Sequence, residues 1–182
     1  MSWRTACPDW RDRIATGRSL VPDLPLFEDE AAKAVRIFNR LRIPDVPGKP
    51  TLGEAAGDWF RDIVRAIFGA YDSETGERHI QEVFLLVPKK NAKTTGAAAV
   101  MVTASIVNRR PEAELLLIAP TKEIADISFR QASGMIRSDP DLDRLFQLQR
   151  HIRTITHRVS GAQIKIIAAD TDAVTGAKAT YI

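Results

Sequence analysis

One cysteine, three histidines and three methionines are the whole supply of soft and imidazole ligands in 182 residues. A lone Cys7 cannot close an internal disulfide, which excludes a disulfide-stapled fold and fits a reducing compartment. His79, His151 and His157 have no zinc-site spacing, and no second cysteine could complete one. No apolar run approaches the roughly 20 residues that a membrane helix needs. The N-terminus carries charge early and lacks a continuous apolar stretch, so it does not read as a secretory signal. Repeats and low-complexity tracts are missing. Charge is nearly balanced, with 26 Lys and Arg against 23 Asp and Glu. The resulting net charge of +3 permits a polyanionic partner without requiring one.

What remains is the composition of a soluble globular chain, 45% hydrophobic and 27% charged, long enough for one real core. Residues 1–50 are punctuated by Pro8, Pro22, Pro25, Pro44, Pro47 and Pro50 and read as an N-terminal arm or small subdomain. Within it, Ala31, Ala34, Val35, Phe38 and Leu41 recur at helical spacing, predicting a helix over Glu28–Leu41. From residue 51 the pattern becomes that of an α/β domain running to residue 182. Thr51 with Glu54 forms a capping box for a helix burying Trp59, Ile63, Ala66 and Ile67. Val83–Val87 and Leu115–Ala119 are short apolar runs of the kind buried on both faces of a sheet. Helices are expected over Thr94–Asn108, over Thr121–Ile136 with Thr121 as cap, and from Ser138 or Asp139 through Phe146. His151–His157 and Gln163–Ala168 read as two strands joined by a turn at residues 158–162. Strands alternating with helices predict a parallel sheet flanked by helices.

The segment between VFLLV and TTGAAAV carries the chemistry. A P-loop reads G-x-x-x-x-G-K-[ST] between a strand and a helix. Here Lys93-Thr94 fills the last two positions, Ala92 replaces the second glycine and Val87 the first. The physical parts are all present. A strand delivers the chain to a loop, backbone N–H groups converge at a helix N-terminus, a lysine reaches outward and a hydroxyl stands ready for Mg²⁺. Asn91 tolerates left-handed angles and can serve as the bend, whereas Ala92 is strained if its φ is positive. On residues alone, a lysine-rich surface loop (Lys89, Lys90, Lys93) explains the segment about as well.

Several separated segments, in order, decide between these readings. They are Cys7-Pro-Asp-Trp, Gly17-Arg-Ser-Leu-Val-Pro, Leu41-Arg-Ile-Pro-Asp-Val-Pro-Gly, Gly57-Asp-Trp-Phe-Arg-Asp-Ile-Val-Arg, Val87-Pro-Lys-Lys-Asn-Ala-Lys-Thr-Thr, Leu117-Ile-Ala-Pro-Thr-Lys and Val174-Thr-Gly-Ala-Lys. Together they resemble the large terminase subunit of tailed bacteriophages and prophages over almost the whole chain. The resemblance implies a P-loop NTPase-type ATPase that uses ATP and Mg²⁺ to drive double-stranded DNA into a capsid. Its implied partners are the small terminase subunit, the portal protein and further copies in a ring, in the host bacterial cytoplasm. It places Lys93 as the P-loop lysine, Lys89 as the basic residue facing the γ-phosphate and Thr94 as the Mg²⁺ ligand. The cradle is Val87, Pro88, Lys89, Lys90, Asn91, Ala92, Lys93, Thr94 and Thr95.

Asp58-Trp-Phe-Arg matches an adenine-reading Trp-Gln, with Trp59 on the base and Phe60 where glutamine is usual; helix packing explains the pair equally. Ile118-Ala-Pro-Thr-Lys matches a motif linking the ATP site to DNA, or is a plain capped turn. Arg130 is either an arginine finger or a solvated helix residue. Arg109, Arg110, Arg150, Arg153 and Arg158 are candidate phosphate-backbone contacts or ordinary surface. The family's Walker B acids are expected beyond Ala179-Thr-Tyr-Ile182, and Asp170 and Asp172 are not placed to replace them. The 182 residues are therefore expected to be the front part of the ATPase, without the C-terminal metal-dependent nuclease that the resemblance also implies, and to hydrolyse ATP barely. A non-catalytic remnant that folds or binds terminase partners is the alternative.

Overall fold

The computed structural model describes residues 7–21, 23–24, 26–169 and 179–182. The chain forms two compact units, each assembled from two stretches. One comprises residues up to Ile37 with Ala55–Leu86; the other comprises Phe38–Glu54 with Val87–Ile182.

The first unit holds the short helix α1 (Trp10–Ala15), most of α2 (Glu28–Arg40) and α4 (Asp58–Gly69). Ala31 and Ala34 are fully buried on α2. A Cβ on Gly69 would stand only 2.7 Å from the Ala31 methyl, so glycine there lets the chain pass close to α2. The Phe27 N–H donates to the Gly69 carbonyl at 2.9 Å, and Phe27 stacks on Tyr71 with ring centroids 4.2 Å apart.

The helix expected to start after Thr51 is two helices. Thr51 and Glu54 do form the capping box, with the Thr51 N–H 2.7 Å from Glu54 Oε2 and the Glu54 N–H 3.2 Å from Thr51 Oγ1. That box starts only α3 (Leu52–Ala55). Gly57 is extended at ψ 154° and restarts the helix at Asp58. The restart shifts the buried face to Phe60, Val64, Ala66 and Phe68, leaving Trp59 at 39% exposure.

The second unit is built on a four-stranded sheet. Its strands are β1 (Glu114–Ala119), β2 (Phe146–Gln149), β3 (Thr154–His157) and β4 (Gln163–Ala168), in the order β1-β4-β3-β2. The sheet is mixed rather than all parallel: β1 and β4 run parallel, while β4–β3 and β3–β2 are antiparallel. Connection length accounts for this. β1 reaches β2, which runs in the same direction, through α6 (Lys122–Arg137) and α7 (Pro140–Leu145), whereas the short links from β2 to β3 and from β3 to β4 permit only hairpins. Phe146, expected as a helix end, instead opens β2, and the run expected as one strand from His151 splits into a single 3₁₀ turn (Arg150–Ile152) and β3.

The β3–β4 turn falls at residues 158–162 as expected, and Gly161 sits there at φ +70°. His157 Nδ1 accepts from the Ser160 N–H at 3.2 Å. Burial holds the His157 pKa below its ordinary value, which keeps the ring neutral and able to accept.

Leu115, Ile155, Ile164 and Ile166 are buried in the sheet, against α6 and α5 (Lys93–Val107). Gly96, Ala98, Ala99, Ala104 and Ser105 give α5 a small, buried surface suited to close packing on α6. Tyr181 pairs in parallel with Leu115 on the free side of β1: the Leu116 N–H donates to the Tyr181 carbonyl at 2.8 Å. The strand expected to begin at residues 179–182 thus enters the sheet beside β1.

Val83–Val87 is not a strand. Val83 is 46%, Phe84 87% and Leu86 84% exposed, and no described strand pairs with the run. An apolar segment made to be covered on both faces needs ladder neighbours on both edges, and none of the described strands offers one. Asp170, Asp172 and Val174–Lys178 lie outside the described residues. No helix among the described residues is long and apolar enough to cross a membrane.

Candidate functional site

Connectivity places the loop before α5. A six-residue link joins the end of α5 to β1, so α5 returns antiparallel to that strand and its first turn lies at the strand's carboxyl end. The first turn of α6 lies at the same end, immediately after Ala119. Parallel α/β sheets present ligand sites at this end.

Residues 87–95 come together there. Ala92 is the N-cap of α5, at φ 51° and ψ 29°, with no side-chain cap. The first helical N–H groups have no acceptor within the helix. Gly96 starts the ladder by donating to the Ala92 carbonyl at 2.8 Å. Lys93 Nζ lies 3.1 Å from the Val87 carbonyl and 2.9 Å from the Pro88 carbonyl, so its ammonium folds back across the loop. Asn91 Nδ2 also donates to the Pro88 carbonyl, at 3.2 Å. Lys89 and Lys90 are exposed, while Thr94 and Thr95 are half-buried. From Val83 through Pro111 the chain has no acidic residue. The site therefore offers unpaired backbone donors, a helix dipole, three lysines and a hydroxyl, and no nearby-sequence carboxylate to oppose an anion.

The bend is not where the side chains suggested. Lys90 (φ 69°) and Ala92 (φ 51°) are the left-handed residues, and Asn91 is not. Asn91 contributes its side-chain amide instead. For an L-residue the left-handed region costs about 1–2 kcal/mol. Ala92→Gly removes that strain and adds roughly 0.4–1 kcal/mol of unfolded-chain entropy to be lost on folding. The expected result is a net stabilisation of about 0.5–1 kcal/mol, read by urea denaturation. A destabilised variant would show that Ala92 is not strained.

Trp59 belongs to the other compact unit, where its ring lies 4.8 Å from that of Phe60 at 45°. Phe60, at the position of the expected glutamine, is buried in that unit's core. At the carboxyl end of β1, Thr121 caps α6 by accepting from the Ile124 N–H at 3.3 Å. Among the described residues no His, Cys, Asp and Glu side chains group in a way that could hold a metal by themselves.

A family model described as terminase large subunit, ATPase domain, matches residues 58–182, well over half of the chain. The chain belongs to the terminase large subunit ATPase family. No curated protein matches it. Among solved structures it is similar to the large terminase of bacteriophage HK97, with a TM-score of 0.65 and 18% identity. The match covers 78% of this chain and 28% of the HK97 chain. The family match opens at the first residue of α4 and takes in the loop, α5 and the whole sheet. It thereby places the glycine-free loop of this terminase domain inside an ATPase fold.

Proposed function

We propose that residues 87–95 bind the triphosphate of ATP with Mg²⁺, as the nucleotide site of a motor that packages double-stranded DNA. The observation that carries this is the uncapped N-terminus of α5 with the Lys93 ammonium folded over it. Backbone N–H groups of Lys93, Thr94 and Thr95 would donate to phosphate oxygens. Lys93 would exchange two neutral carbonyl acceptors for charged phosphoryl oxygens, and charge-assisted hydrogen bonds are roughly twice as strong. Lys89 stands as the second cation, for the γ-phosphate. The Thr94 hydroxyl is the group that would ligate Mg²⁺, whose chemistry is to neutralise charge on the phosphoryl group being transferred. The packaging reading adds duplex DNA, the small terminase subunit, the portal and further copies of the chain as partners. DNA contact would be directed at the backbone, since a packaging motor must accept any sequence.

Calorimetric titration of the chain with ATP in the presence of Mg²⁺ tests the nucleotide site. Saturable binding that weakens when Mg²⁺ is chelated is expected. A flat titration would instead favour a domain that folds and binds packaging partners without nucleotide.

A further inference from the structure

The structure sorts five arginines, four exposed and Arg153 half-buried, into two groups at opposite ends of the sheet. Arg109, Arg110 and Arg158 lie at the amino end of β1, where the Glu112 N–H donates to the Ser160 carbonyl at 2.8 Å and ties the α5–β1 link to the β3–β4 turn. Arg150 and Arg153 lie at the other end. The Arg153 carbonyl accepts from the Ile166 N–H, near the carboxyl end of β4.

Three elements converge at this second place. Lys122, Asp126 and Arg130 are exposed and spaced four residues apart on α6, which puts them on one stripe. Arg153, left-handed at φ 49° after the Arg150–Ile152 turn, donates from Nε to Asp126 Oδ1 at 2.5 Å. That hydrogen bond holds the Asp126 carboxyl below its usual range, and the charges of Arg153, Arg130 and Arg150 act in the same direction. Asp126 therefore lies one helical turn from Arg130 and orients Arg153 by Nε, leaving the two terminal nitrogens of Arg153 for another acceptor.

We infer that Lys122, Arg130, Arg150 and Arg153 form the face of this domain that grips the phosphate backbone of duplex DNA. The inference rests on the packaging reading above and names the surface that would serve it. Charge complementarity selects the occupant. Guanidinium forks suit paired phosphate oxygens, and backbone contact needs no base recognition. The face lies at the same end of the sheet as the nucleotide loop, and Asp126 opposes the polyanion as well as orienting Arg153. Contact here is thus held below its maximum strength, as a track that must be released requires.

The test is binding of the whole chain to a short mixed-sequence duplex across a salt series, with circular dichroism confirming that each surface variant folds. The wild type should bind with log K falling linearly in log salt. Arg130→Glu and Arg150→Glu should each weaken binding and flatten that slope by roughly 1. Asp126→Asn keeps an oxygen for Arg153 and removes the repulsion, so it should tighten binding severalfold. Arg109→Glu with Arg158→Glu should leave binding unchanged. If the Arg109 and Arg158 changes carry the loss and the Arg130 and Arg150 changes do not, the face is at the wrong end and the inference falls while the packaging reading stands. A wild type without salt-dependent DNA binding overturns both. Binding of polyglutamate as tight as that of the duplex would assign the face to acidic protein segments and overturn the DNA assignment.

Discussion

Alanine at position 93 is expected to weaken ATP·Mg²⁺ binding about 10- to 100-fold, the loss of a hydrogen-bonded charge worth roughly 1.5–3 kcal/mol. No other single change to the loop should match it. Lys89, Lys90 and Lys93 are all exposed, but Lys93 begins the helix and its ammonium already bridges the Val87 and Pro88 carbonyls. The same substitution has a second consequence that needs no nucleotide. Lys93 ties its own position to the Val87 and Pro88 carbonyls, so its removal leaves only the Asn91 amide on Pro88. Amide hydrogen exchange across residues 88–92 should quicken in the nucleotide-free variant. Lys89→Ala, by contrast, should reduce affinity without changing that exchange. Calorimetry and exchange mass spectrometry on the three proteins check both effects. Equal ATP affinity in wild type and Lys93→Ala would remove the lysine, and with it the loop, from the nucleotide site.

Local chemistry was readable wherever it decided the outcome locally. The Thr51–Glu54 box and the Thr121 cap are made by side chains within three residues of the N–H groups they satisfy, so the letters alone locate them. The turn at residues 158–162 follows for the same reason, with His157 Nδ1 accepting from the Ser160 N–H. What could not be read depends on neighbours distant in sequence. VFLLV has the composition of a buried strand, but composition does not supply the strands that would flank it. Phe146 continues a helical pattern and becomes a strand because its backbone pairs with that of His157. Gly57 resets the helical phase, which moves burial from Trp59 to Phe60. At the site, the order of loop and helix marked the start of α5 and the lysines before it, while the strand expected in front of them is not formed. The inward fold of Lys93 and the left-handed turn at Lys90 are three-dimensional details that no spacing encodes.

Gly134→Ala should be among the most damaging small substitutions in the second unit, although it adds one methyl group to a helix where alanine is intrinsically the better residue. In α6 the exchange alone would stabilise by up to about 1 kcal/mol. The surroundings reverse the sign. A Cβ at Gly134 would stand 2.4 Å from Pro44 Cβ and 2.7 Å from its Cγ. These atoms belong to a rigid ring, on a loop closed by the Ile43 N–H to the Pro50 carbonyl and the Leu52 N–H to the Leu41 carbonyl. One turn earlier on the same helix, Gln131 Nε2 donates to Asp45 Oδ2 at 2.7 Å from a buried position. Moving the loop to admit the methyl group strips that bond from a side chain whose Oε1 already lacks a partner. Overpacking of this kind costs about 1–3 kcal/mol, and an unsatisfied buried amide adds about as much again. Net destabilisation of roughly 2–4 kcal/mol is expected, read as a lowered urea midpoint with the slope unchanged. Pro44→Gly, which removes both the Cβ and the Cγ that the new methyl group would meet, should partly restore the Gly134→Ala protein while destabilising the parent. If the two changes add without coupling, Pro44 does not rest on α6, and the loop at residues 41–52 is held to the second unit by something other than that contact.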